Sequence, residues 1–237
     1  MFYYIQHPTD LKIIGNQPQI DQLVYSTESF KFQEKLKNHY EIDVSSEFIL
    51  PKILLFKKTK LTDHIFGYMG EFMYKLIVSD KFMEILKDFR CQHFDVLPIS
   101  VETHSKLQYK YNLLTIRQSK LELIDFKNSK IKQRFINTEG LSDYKEVSYS
   151  DLDTFLKDLK EKNLEGKISI INLAISNSEN LDFFFIRYTY GSIKYIVSDR
   201  LKTALVNAGI TGIEFQPTHY SLNEWYASEE REKIYGT

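Results

Sequence analysis

The chain has 237 residues, of which 43% are hydrophobic and 14% aromatic, enough apolar side chain for one large core or two smaller ones and too much for a disordered polymer. Its apolar runs, such as residues 48–56 and 183–186, fall well short of the roughly 20 residues needed to cross a bilayer, so no membrane partner is expected. A formal net charge of −1 argues against a polycationic nucleic-acid binder, and a single cysteine, Cys91, rules out an intrachain disulfide or a cysteine metal site.

In chain order, residues 2–5 read as a strand, Asn16-Gln17-Pro18-Gln19 as a turn and residues 28–38 as a short helix with Phe32 and Leu36 four apart. The opening residues lack the basic start, apolar centre and small-residue cleavage site of a secretory signal, which together with the lone cysteine points to the cytoplasm. Ile77-Val78 ends a β-branched strand and runs into Ser79-Asp80, whose short side-chain oxygens suit the free N–H groups of a helix's first turn. Phe82, Ile85, Leu86 and Phe89 give that helix an apolar face, and Phe94-Asp95-Val96-Leu97 then alternates as a strand up to Pro98.

Residues 109–116 and 121–126 read as strands, with Arg117-Gln118-Ser119-Lys120 as the hairpin between them. Asn137-Thr138-Glu139-Gly140 reads as a linker, dividing the chain into an N-terminal α+β half, 1–138, and a C-terminal α+β half, 139–237. Beyond it, Ser150 or Asp151 caps a helix carrying Leu152, Phe155, Leu156 and Leu159, and residues 167–175 and 182–190 read as strands.

A shift of 119 positions lays Lys75-Leu76-Ile77-Val78-Ser79-Asp80 on Lys194-Tyr195-Ile196-Val197-Ser198-Asp199 without a gap, Leu86 on Leu205 and Pro98 on Pro217. The second copy repeats the pattern: Leu201, Ala204, Leu205 and Ala208 face one way, Gly209 closes the helix, and Ile213-Glu214-Phe215-Gln216 alternates. The expected fold is α+β, with two related strand–helix–strand units in mixed, mainly antiparallel sheets.

Chemistry is harder to find. Ser79, Asp80, Ser198 and Asp199 read as helix caps, because neither pair has a histidine nearby to activate its serine. No glycine pattern suits a phosphate, no serine sits in G-x-S-x-G, and His7, His39, His64, His93, His104 and His219 are scattered without metal-ligand spacing. Cys91 with His93, the Asp63-His64 pair and Asp125 are weak acid, base or nucleophile candidates. No catalytic residue, metal or cofactor is therefore expected. Divided at Thr138, the halves carry +4 and −5. The positive excess lies in Lys106, Lys110, Arg117, Lys120, Lys127, Lys130, Lys132 and Arg134, interspersed with strand-like apolar residues and read as a solvated sheet face.

Tyr3-Tyr4 with Pro18-Gln19, the two Ile-Val-Ser-Asp segments, Ile124-Asp125-Phe126-Lys127-Asn128-Ser129 and the closing Ala208-Gly209-Ile210-Thr211-Gly212-Ile213-Glu214-Phe215-Gln216-Pro217 resemble bacterial polymorphic-toxin immunity proteins, nearest to the groups called immunity protein forty-three and immunity protein eleven. The resemblance implies a protein that binds and occludes a cognate toxin and performs no catalysis. An acidic, aromatic tail would suit a basic toxin: Trp225 and Tyr226 lie among Glu224, Glu229 and Glu230, the residue types of an interface anchor and its charged rim. A scaffold for another protein partner, and an enzyme whose site has no recognisable motif, are the alternatives.

Overall fold

A computed structural model of the protein describes residues 1–30, 49–66, 72, 75–116, 118–176, 179–190 and 192–236. Its strands are β1 (Phe2–Gln6), β2 (Ile20–Val24), β3 (Lys52–Leu55), β4 (His64–Ile65), β5 (Leu76–Val78), β6 (Asp95–Glu102), β7 (Gln108–Thr115), β8 (Lys130–Ile136), β9 (Ser142–Val147), β10 (Ile168–Asn172), β11 (Phe183–Thr189), β12 (Ser192–Ser198) and β13 (Glu214–Pro217). The helices are α1 (Leu11–Ile14), α2 (Thr27–Phe30), α3 (Asp80–Leu86), α4 (Leu152–Glu161), α5 (Asp199–Asn207), α6 (Leu222–Tyr226) and α7 (Glu229–Tyr235). The helix expected over 28–38 is seen only as α2; its remainder lies outside the described residues, as does Arg117.

The strands form a six-stranded sheet, β2-β3-β6-β7-β5-β4, and a seven-stranded sheet, β13-β1-β12-β11-β10-β8-β9. Pairing is mainly antiparallel, with β3–β6 and β10–β11 parallel, so the fold is α+β as expected. Two compact units divide the chain: one is residues 1–5, 119–199 and 215–237, the other 6–118 and 200–214.

The unit containing 6–118 is built on the six-stranded sheet. Alternation along β6 turns Leu97, Ile99 and Val101 inward, where they meet Ile53, Ile77, Tyr111 and Leu113. α3 begins where the sequence asks it to: Ser79 Oγ accepts the Phe82 N–H (3.2 Å), and Phe82 and Leu86 are buried. The unit built on the seven-stranded sheet packs α4 over its core. Asp151 caps α4 by accepting the Thr154 N–H, and Phe155 meets Phe126, Tyr149 and Tyr188 at ring-centroid distances of 5.0, 5.2 and 5.5 Å.

The 119-residue repeat is visible in the hydrogen bonding. β4 pairs with β5 as His64↔Val78 and Ile65↔Ile77, and β11 pairs with β12 as Phe183↔Val197 and Phe184↔Ile196, each position 119 further on. Ser79 Oγ donates to Asp63 Oδ1 (2.8 Å), and Ser198 Oγ to Asp182 Oδ1 (2.6 Å). Both serines also donate their backbone N–H to the same aspartate's carbonyl at 2.8 Å. The two Asp–Ser ties are thus one device used twice. The neighbouring strand differs in origin: β7 flanks β5 and β6, whereas β1 flanks β12 and β13. Tyr3 and Tyr4 take the slots opposite Val197 and Ile196 that Asn112 and Leu113 take opposite Val78 and Ile77. The Tyr3 hydroxyl also reaches Asp199 Oδ1 (2.9 Å) at the start of α5.

Three expectations need correction. Residues 121–126 are not a strand hairpinned to β7: Leu121–Leu123 forms a 3-10 turn, held by the Lys120 N–H to Phe185 carbonyl bond, and Ile124 makes a single bridge to Ile175. Asn137–Gly140 is no linker but the turn of the β8–β9 hairpin, closed by the Asn137 N–H to Leu141 O bond, with Gly140 at φ 78°. The units do not separate at 138, because the first and last strands of the chain complete the same sheet. Counted by unit, the charge asymmetry shrinks to −3 and +2.

Candidate interaction face

The sequence of β8, Lys-Ile-Lys-Gln-Arg-Phe-Ile, alternates, and Ile131 fixes the register by entering the core with Val147 packed against it. Lys130, Lys132 and Arg134 therefore share the opposite face, together with Tyr144 and Glu146 from β9 and Ser169 and Ile171 from β10. A groove of about 270 Å³ runs over this face. It is lined by Lys132 of β8 and Ser169 and Ile171 of β10, with Tyr144 from β9 and Tyr190 from beyond β11 on either side of them in the sheet order, and by Ser221, Leu222 and Asn223 at the start of α6. Lys130 meets Glu146 at 3.5 Å, while among the described residues neither Lys132 nor Arg134 has an ion pair. Tyr144 and Tyr190 are 58% and 51% exposed, and Ile136 and Leu141 at the hairpin tip are exposed as well. β9 is an edge strand, and Asp143 accepts the Tyr144 N–H (2.7 Å), filling one of the edge's backbone positions with its own carboxylate.

The acidic tail is arranged differently from the expectation. Trp225 is 1% exposed, packed near Tyr220 and Tyr235, so it is a core residue and not a surface anchor. Glu224 is spent on a capping box with Ser221 and on Asn172 Nδ2 (2.9 Å). The Ser221 hydroxyl and N–H, with Asn172, hold its carboxyl down at about 2. Tyr226 stays exposed with the Arg231 guanidinium over its ring, and Glu229 and Glu230 on the first turn of α7 face solvent. Sequence reasoning gave the tail precedence over β8, although the period-two run of cations at 130, 132 and 134 was the signal for the groove.

The chemically suggestive residues make local contacts. His93 is exposed and 3.9 Å from Asp95, whereas Cys91 Sγ points to the Leu86 carbonyl. Asp125 accepts the Asn128 N–H and side-chain amide in a turn. Asp63 accepts the Thr211 N–H and hydroxyl, both at 2.9 Å, besides Ser79; burial opposes its charge, but these hydrogen bonds prevail and hold it below the usual carboxylate range. His64 donates from Nδ1 to the Gly212 carbonyl (3.0 Å), and burial lowers the imidazole from 6.5 to about 4. A folded value below the unfolded one means that the unfolded chain takes up the proton first as pH falls. The stability contributed is complete above pH 6.5 and lost as pH falls through about 4, on the order of 3 kcal/mol. Denaturant unfolding at pH 7 and 4.5 should show this loss, and His64→Gln should flatten it; an equal slope in both proteins would assign the acid sensitivity elsewhere.

Among the described residues no helix is long and apolar enough to cross a membrane, and no three His, Cys, Asp or Glu side chains are placed to share a metal ion. No family profile matches the chain. It is similar to a protein of Kluyveromyces lactis described as "Uncharacterized killer plasmid pGKl-2 protein 9", at 25% identity over 205 residues, an alignment covering 77% of this chain. The chain spans less than half of that relative, 44% of its length.

Proposed function

We propose that this protein binds another protein, and that in doing so it neutralises a toxin by covering it, in the cytoplasm and without chemistry of its own. The observation that carries the reading is the outward face of β8, β9 and β10, where exposed Tyr144 and Tyr190 line a groove with Lys132, and where Lys132 and Arg134 make no ion pair among the described residues. Tyrosine and arginine are the side chains that interfaces concentrate, since they combine large apolar area with directed polar contacts. Further support comes from the resemblance to toxin-immunity proteins and from the relative's description as a killer plasmid protein. Tyr226, Glu229 and Glu230 offer a second, acidic contact region. The resemblance implies a neighbouring toxin gene, and the test is co-expression with the product of such a gene. The expected result is protection that scales with the amount of this protein, and a one-to-one complex on size-exclusion chromatography with light scattering. Protection at far less than one molecule per toxin, with no complex, would overturn the reading and favour an enzyme.

A further inference from the structure

The groove has a chemistry of its own, and we infer that it holds an extended acidic segment of a partner protein. This deepens the binding function proposed above and rests on it. Alternate residues on one face of a strand are about 7 Å apart, and so are alternate side chains of any extended peptide. Lys130, Lys132 and Arg134 thus match carboxylates at every second position of a segment lying along β8. Lys130 is partly offset by Glu146 at 3.5 Å, and Glu146 also stands opposite Lys132 across the strand pair; among the described residues neither Lys132 nor Arg134 makes an ion pair. Between the carboxylates, an apolar side chain would rest on Ile171 with Tyr144 and Tyr190 on either side.

Size and charge narrow the occupant. At about 270 Å³ the groove has room for a few side chains of a larger partner. Cations and tyrosines together also suit single-stranded nucleic acid, where bases stack on rings. The surrounding unit, however, carries 14 Lys and Arg against 17 Asp and Glu, so a long polyanion meets net repulsion beyond the groove, whereas a short acidic segment feels mainly the local cations.

Fluorescence anisotropy on the full chain tests this with three probes: a fluorescein-labelled octapeptide alternating Glu with Leu and Phe, the same peptide with Gln for Glu, and a labelled twelve-residue oligothymidine. The acidic peptide should bind and weaken with salt, and the Gln peptide should bind about tenfold more weakly, the worth of one good charge contact. Lys132→Gln with Arg134→Gln should cause a similar loss, Tyr144→Ala a smaller one, and Lys106→Gln with Lys110→Gln none. Tighter binding of the oligothymidine would make the face a nucleic-acid site, and equal binding of both peptides, or none at 1 mM, would overturn the proposal. Toxin capture is measured separately. If Lys132→Gln with Arg134→Gln captures toxin as well as the native chain, the groove assignment falls and toxin binding stands. If the peptide binds but no toxin does, the groove stands and neutralisation falls.

Discussion

Trp225→Ala is expected to destabilise the unit built on the seven-stranded sheet by about 3–5 kcal/mol, the usual cost of emptying a large aromatic site in a core. The side chain is essentially sealed from solvent, with the Tyr220 and Tyr235 rings 5.9 and 6.3 Å from its own. Its loss also loosens a polar tie: Tyr235 accepts the Phe215 N–H through its hydroxyl (2.8 Å), holding α7 to β13. Because the chain has one tryptophan, unfolding of the variant is followed by far-ultraviolet circular dichroism, with hydrogen exchange assigning the loss to this unit. Trp225→Phe should recover much of the stability. A Trp225→Ala protein that unfolds like the native one but binds a partner poorly would return this residue to the surface role that its acidic neighbours suggest.

Gly212→Ala should cost about 4 kcal/mol in the other unit, the sum of a left-handed residue without glycine's freedom and a core overlap that cannot relax. Gly212 has φ 81°, and a Cβ there would stand 2.3 Å from the His64 carbonyl oxygen and 2.8 Å from Thr62 Cβ. The obstacle is backbone at the β4 edge, so no rotamer change relieves it. Gly209 shares the left-handed backbone, with φ 67°, but a Cβ there meets nothing within 4 Å. Gly209→Ala should therefore cost only about 1 kcal/mol. Urea unfolding of the two variants separates conformational strain from close approach; equal losses would mean that the loop does not lie against β4 as described.

Local signals in the sequence translated well. Ser79 and Asp151 cap the helices they precede, and the Ser79-Asp80 and Ser198-Asp199 repeats both stand at helix starts, because capping depends on a few adjacent residues. Non-local pairing was not legible. Residues 121–126 alternate like a strand, yet after β7 the chain leaves one sheet for the other, and nothing local marks the change. Asn137 and Gly140 are turn residues in a hairpin and in a linker alike, and only the pairing of Ile136 with Ser142 decides between them. Trp225 between glutamates fits a hot spot as well as a buried helix face, since its ring partners, Tyr220 and Tyr235, lie in a bend before α6 and at the end of the short α7, where there is little periodicity to read. The Asp63–Ser79 and Asp182–Ser198 ties share a separation of 16 residues, and the 119-residue shift lays one aspartate on the other in the sequence itself.

β1 carries a cost in time. Phe2, Tyr3, Tyr4 and Ile5 are synthesised well before the strands on either side of them, β12 and β13, which lie at 192–217. At roughly 5–20 residues per second, synthesis leaves this aromatic strand unpaired for about ten seconds or longer. Sheet closure over so long a loop is also intrinsically slow. Throughout that interval β1 is an adhesive segment that any exposed sheet edge can capture, which makes the nascent chain a natural client for a chaperone that shields apolar strands.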